Sequence, residues 1–171
     1  TLAHFLPTSP LLVPLLTALL CVASGGNVRL CRWVSFAGTV ALLACAASLV
    51  QITAAGGILT TQFGDWPAPI GIAFRIDRLS AILVAISASI AVLASIYGFA
   101  AEDATGARRW TYALVHGLLA GVGGAYATAD LFNLYVWFEV LLITALGLVA
   151  VAGEKPHLEA ALKYLTLNLF G

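Results

Sequence analysis

The sequence predicts an all-α, polytopic transmembrane bundle of about five complete helices and part of a sixth, with a short surface hairpin. Three observations carry this. The chain is 61% hydrophobic and 9% charged, whereas soluble domains hold about 45–50% apolar and 25% charged residues. Apolar runs of membrane-spanning length recur along it, punctuated by Gly, Pro, Asn and charged clusters. One stretch, residues 55–76, breaks that pattern with short runs set between turn residues.

The first helix is expected over residues 5–24. Pro7 and Pro10 fall in its early turns, where proline is tolerated, and Pro14 lies deep enough to kink it. Ser24-Gly25-Gly26-Asn27 ends it, and Arg29 and Arg32 are placed in the loop that follows. A second helix is expected over residues 33–54, with Trp33 as an interfacial anchor. Its Cys45, Ala46, Ala47 and Ser48 are small enough to let a neighbour approach. The hairpin is expected near residues 57–75, with Gly64-Asp65-Trp66-Pro67 as its turn.

The third helix, residues 76–100, is entered past Arg75, Asp77 and Arg78. Asp77 suits a helix N-terminus; an outward-facing gate or a subunit contact is the alternative. Glu102, Asp103, Arg108 and Arg109 are read as the next loop. The fourth helix, residues 110–128, carries Gly117 and Gly121 in GxxxG spacing, plus Gly123 and Gly124. That spacing favours close backbone contact with a helix it does not identify. His116 falls near the middle of this helix and is either a hydrogen-bonded packing residue or a proton carrier.

The fifth helix, residues 131–151, has Glu139 as its one ionisable residue. Centred on Leu141, the run places Glu139 within about 3 Å of the bilayer midplane. An ionised carboxyl there costs about 2.5 kcal/mol or more. It must be protonated, paired or turned toward water inside a bundle. Either it is a neutral packing residue, or it lies on a proton or ion route, which is the default for an intramembrane carboxyl. The sixth helix begins near Pro156, a favoured first position. It reaches Gly171 after about 24 Å, short of the ~30 Å core of a bilayer. The sequence is therefore expected to be the amino-terminal part of a longer protein. Thr1 in place of an initiator methionine suggests a trimmed start.

Net charge is +0, which excludes a nucleic-acid footprint. Cys21, Cys31 and Cys45 form no CxxC motif and no disulfide framework. With no GxGxxG and no Cys cluster, the chain is expected to bind no NAD, haem, Fe–S cluster or metal, and to be no redox enzyme itself.

Asp130-Leu-Phe-Asn-Leu-Tyr-Val-Trp-Phe-Glu139-Val-Leu-Leu-Ile143 resembles the fifth transmembrane helix of the D-type membrane proteins of Mrp cation/proton antiporters. Those proteins are related to antiporter-like subunits of NADH:quinone oxidoreductase and membrane-bound hydrogenases. Asp77-Arg78-Leu79-Ser80-Ala81, Leu118-Leu119-Ala120-Gly121, Trp66-Pro67 and Leu162-Lys163-Tyr164-Leu165 with Asn168 agree with the same pattern. The resemblance covers most of the chain from about Trp66 onward. It implies a larger subunit built of inverted helix bundles that works in a hetero-oligomer with other membrane subunits. It also implies exchange of H⁺ for Na⁺ or another monovalent cation in the cell membrane. In that family a seventh-helix lysine works with the fifth-helix glutamate; no residue here supplies it. An antiporter-like subunit of a redox-driven pump is the alternative reading. His116 is no part of the family pattern.

Charge bias orients the bundle. Arg29, Arg32, Arg108, Arg109 and Lys155 fall on one side, Arg75 and Arg78 on the other. The richer side is expected in the cytoplasm and the N-terminus outside. Lys163 then lies roughly 10 Å from the cytoplasmic end of the sixth helix and Glu139 roughly 18 Å from the same side. The gap is wide for a direct pair, but one or two waters can bridge it. Lys163 is either a lysine snorkelling to the interface or a relay toward Glu139.

Overall fold

The structure, a computed structural model, describes residues 5–63, 71–100, 108–151 and 153–170. A 3₁₀ turn, Leu6–Thr8, leads into α1 (Ser9–Ala23), then α2 (Val28–Ala54), β1 (Leu59–Gln62), β2 (Ala73–Ile76), α3 (Arg78–Ala100), α4 (Arg108–Ala127), α5 (Leu131–Ala150) and α6 (Lys155–Phe170). The bundle and the hairpin are thus as the sequence predicts. Trp66-Pro67, Glu102 and Asp103 lie outside the described residues.

One boundary differs in a way that matters. Arg29 and Arg32 sit on the first turns of α2, not in a loop. The Asn27 side chain accepts a hydrogen bond from the Leu30 amide at 3.1 Å and so starts the helix early. Gly25 and Gly26, both at positive φ, close the turn before it. α4 likewise starts at Arg108 and α6 at Lys155. The charges stay at the same ends of the bundle, so the expectation drawn from their bias is unchanged.

Four helical stretches are long and apolar enough to cross a bilayer: Leu6–Ala23, Val28–Ala54, Arg78–Phe99 and Leu131–Ala150. α4 matches α5 in length, at 20 residues each, but is less apolar. Its place explains this: α4 packs against α1, α2, α3 and α5. Its polar and glycine positions therefore meet protein rather than lipid. α1 runs on through Pro14, which is buried.

Small residues set the helix crossings, as expected in a membrane, where lipid offers no apolar contrast. A methyl added at Gly38 of α2 would strike Thr17 of α1, and one at Gly123 of α4 would strike the Pro10 carbonyl. Ala46 of α2 packs with Leu42, Val84 and Ala88 in one buried cluster. A second cluster joins Leu11, Leu49, Phe74, Ile76, Ala81 and Ala127 beneath the hairpin. At the other end of the bundle the Arg32 guanidinium lies 5.5 Å from the Phe99 ring, beside Trp33, whose centroid is 5.0 Å from Phe99.

The hairpin is antiparallel, with Leu59 opposite Ile76 and Thr61 opposite Phe74. It is tied to the helices. The Ala129 amide donates to the Ala73 carbonyl at 2.9 Å, and Thr128 bridges to Phe74. Asp77 caps α3 by accepting from the Ser80 amide at 2.9 Å.

Candidate functional site around Glu139

α5 opens at a polar knot. Asp130 accepts from the Phe132 amide at 3.0 Å, the N-cap bond. Asn133, 4% exposed, donates its side-chain amide to the Thr128 hydroxyl at 2.9 Å. Thr128 in turn donates to the Asp130 carbonyl at 3.2 Å. The Asp-Leu-Phe-Asn sequence thus joins the end of α4 to the start of α5 and, through Thr128, to the hairpin.

From there α5 lies on the rim of the bundle. Asn133 is its one fully buried side chain among the described residues. What seats it is the glycine row of α4. Gly124 faces the Trp137 ring, Gly121 faces Leu141 and Gly117 faces Thr144. A methyl at Gly121 would come within 2.9 Å of Leu141, and one at Gly117 within 2.6 Å of Thr144. Positions 137, 141 and 144 share one helix face, so the GxxxG spacing finds its partner in α5. Thr144 donates its hydroxyl to the Val140 carbonyl at 2.7 Å, which leaves an apolar surface for Gly117. The Trp137 indole N–H is buried without a hydrogen-bond partner, so packing alone holds the ring.

Glu139 is the ninth residue of the helix and half-buried. Its carboxyl interacts with the Tyr135 hydroxyl one turn earlier. It lines an open groove of about 520 Å³ together with Leu118, Tyr135, Phe138, Tyr164 and Asn168. Two phenols and one amide are thus the polar groups beside the carboxyl. The groove is large enough to admit many waters, and a carboxyl bathed by water can both lose and regain a proton.

Lys163 is not in this groove. Exposed on α6, it lies with Leu162, Thr166 and Leu167, about 100° around the helix from Tyr164. Among the described residues no ion pair joins it to Glu139. Tyr164 and Asn168 are the α6 residues that face Glu139. The sequence motif contains both without assigning them to the site; their i,i+4 spacing, one turn apart on a common face, was the available signal.

His116 is fully buried on α4, away from the Glu139 groove. Its Nε2 lies 3.0 Å from the Ser35 hydroxyl of α2, and its Nδ1 has no partner. It ties α2 to α4. Among the described residues no group of three or more His, Cys, Asp or Glu side chains is arranged to hold a metal.

No family model matches the chain. Curated relatives do. The chain is 39% identical over 160 residues to the D-type component of the Na⁺/H⁺ antiporter of Bacillus subtilis, covering 94% of this chain and 32% of that protein. It is 33% identical to the D-type component of a probable K⁺/H⁺ antiporter of Rhizobium meliloti, covering 94% and 30%. Among solved structures it superposes on a chain of the Mrp complex from Dietzia sp. with a TM-score of 0.86 at 30% identity, covering 99% of this chain and 32% of that one. It also superposes on a chain of the membrane-bound sulfane sulfur reductase, an archaeal respiratory membrane complex, with a TM-score of 0.81 at 27% identity, covering 97% and 34%. Across nearly all of its own length the chain is similar to the D-type components of these antiporters, and it spans about a third of their length.

Proposed function

We propose that the chain is part of a subunit of a multisubunit monovalent cation/proton antiporter in the cell membrane, exchanging Na⁺ or another monovalent cation for H⁺, and that Glu139 carries the proton. The observation that supports this best is the place of Glu139. A single carboxyl sits mid-length on an apolar helix, at the edge of an open groove with Tyr135, Tyr164 and Asn168 beside it. A group that carries protons must visit both charge states, and a groove of this size, open to water, would make the ionised state accessible. The relatives named above as Na⁺/H⁺ and K⁺/H⁺ antiporter components support the exchange reaction.

Lys163, a turn or two from Glu139 along the axis, serves as a relay on this reading. A positive charge brought near the carboxyl lowers its proton affinity, and withdrawing that charge raises it. The partner subunits are those of a hetero-oligomeric complex, as in the Mrp structure the chain resembles. His116 stands outside the path.

A second reading has one observation behind it. The likeness to a chain of a respiratory membrane complex favours an antiporter-like subunit of a redox-driven assembly. In either case the chemistry at Glu139 is proton transfer.

The test is Glu139→Gln against Glu139→Asp in the complete complex, with cation-driven pH changes followed in membrane vesicles and assembly checked in parallel. Gln keeps shape and hydrogen bonding but cannot titrate, so exchange should be lost while assembly is normal, and Asp should retain part of it. A packing role predicts the reverse order. Full exchange by the Gln variant removes Glu139 from the mechanism.

A further inference from the structure

Building on the reading of Glu139 as the proton carrier, we infer that Phe74 of the hairpin is a positioning residue for that carboxyl, acting through Trp137. Phe74 is 3% exposed. It is held on three sides: Thr61 is its partner in the strand register, Thr128 bridges to it, and the Phe63 ring meets it edge-on at 5.6 Å. Its own ring lies 6.4 Å from that of Trp137, tilted by 60°. Trp137 also packs on the bare backbone of Gly124. The indole is therefore wedged between the hairpin and α4.

Residues two apart on a helix point about 200° away from each other. With Trp137 fixed on the inner face of α5, Glu139 is directed to the opposite flank, where the groove lies. Among the described residues α5 packs closely on α4 and α6. Leu141 and Thr144 hold the half of the helix beyond the carboxyl, whereas Trp137, with the Asn133–Thr128 hydrogen bond, holds the half before it. Loosening the wedge lets α5 turn and takes the carboxyl out of the groove. The titratable groups around Glu139 are Tyr135 on its own helix and Tyr164 on α6, with Lys163 on the adjoining strip of α6. α4 contributes Leu118 to the groove and no titratable side chain. None of these belongs to the hairpin, so an effect of Phe74 on proton binding at Glu139 travels through α5, to which the Trp137 ring ties it.

The experiment uses the complete protein assembled in its complex, in vesicles, with wild type, Phe74→Leu, Phe63→Leu, Trp33→Leu and Glu139→Gln compared. Two curves are read against pH. One is cation-driven proton exchange. The other is labelling of Glu139 by dicyclohexylcarbodiimide, which adds to a protonated carboxyl and is quantified by mass spectrometry. Phe74→Leu should shift the midpoint of both curves upward by about half a pH unit or more, because a carboxyl leaving a watered groove binds its proton more tightly. Phe63→Leu, which frees the far side of the Phe74 ring at a half-exposed position, should shift them the same way by less. Trp33→Leu, an aromatic lost at the opposite end of the bundle, should leave both midpoints in place. Unshifted midpoints in Phe74→Leu overturn the inference; where that variant does not assemble, unshifted midpoints in Phe63→Leu do so. If Glu139→Gln exchanges fully, the carrier reading fails, and the labelling curve alone decides whether Phe74 positions the carboxyl.

Discussion

The Trp137 ring lies against the bare backbone of Gly124, and Glu139 follows it by two residues on the opposite flank of the same helix. Without a glycine at 124 the indole cannot seat as it does. The contact belongs to a row in which Gly121 receives Leu141 and Gly117 receives Thr144. The row is the α4–α5 interface.

Gly124→Ala should therefore destabilise the assembled protein. The added methyl meets the indole, a large ring that also packs against Phe74. Overpacking of this kind costs about 1–3 kcal/mol. Gly98→Ala in α3 is the control, since nothing lies within 4 Å of the added carbon. It should be neutral or stabilising by up to about 1 kcal/mol, the helix propensity gained. Thermal unfolding of the two variants in one detergent checks the difference, and an unchanged midpoint for Gly124→Ala contradicts it.

His116→Gln should leave cation-driven exchange per assembled complex within about twofold of wild type, because a loss of one hydrogen bond of about 1 kcal/mol acts on stability rather than on proton transfer. Ser35→Ala, which removes the partner at 3.0 Å, should lower thermal stability without changing the pH profile of exchange. A profile displaced in either variant would return His116 to the proton path.

Asp77 makes the start of α3 acid-sensitive. The Ser80 amide bond, above all, holds its carboxyl below the usual carboxylate range, with the Arg75 charge adding to it. A carboxyl with a lower pKa in the folded state stabilises the fold above its unfolded pKa of about 3.9. That contribution is lost as pH falls through the folded value. The group is largely solvated, so screening keeps the effect small. Asp77→Ala should cost about 1 kcal/mol at neutral pH through the lost cap, and the deficit relative to wild type should shrink in acid. A deficit that stays constant down to about pH 3, below the reference carboxylate value, would exclude the cap.

Arginine placement predicts an orientation, with the N-terminus and the hairpin outside. Thr60 on the hairpin is exposed, and Thr105 lies between α3 and α4. In a cysteine-free background of the complete protein, a cysteine at Thr60 should react with an impermeant thiol reagent in intact cells. One at Thr105 should be protected until the membrane is opened. The opposite pattern reverses the topology.

How much of this was legible in the sequence depends on the range of the force involved. The helices and the hairpin were, because apolar length and turn residues act locally. Every helix is found within a few residues of its expected place; the largest difference, at the start of α2, comes from one side-chain cap at Asn27 that a hydropathy window does not see. Glu139 was legible for the same reason: a carboxyl inside an apolar run is conspicuous in one dimension, whatever surrounds it.

What the chain order does not contain is direction around each helix. The sequence offered GxxxG without a partner, and only the packing of α4 on α5 shows that Trp137, Leu141 and Thr144 fill it. It offered Lys163 as the cation near Glu139, whereas the turn of α6 presents Tyr164 and Asn168 to the groove and leaves Lys163 on the neighbouring strip. It left His116 between two roles, and tertiary structure places Ser35 beside it from a helix far away in the chain. The physical reason is common to all three. Burial of apolar residues in lipid is nearly indifferent to rotation about the helix axis, so it fixes where a helix lies along the chain but not which way it faces; that is decided by the fit of individual side chains against their neighbours.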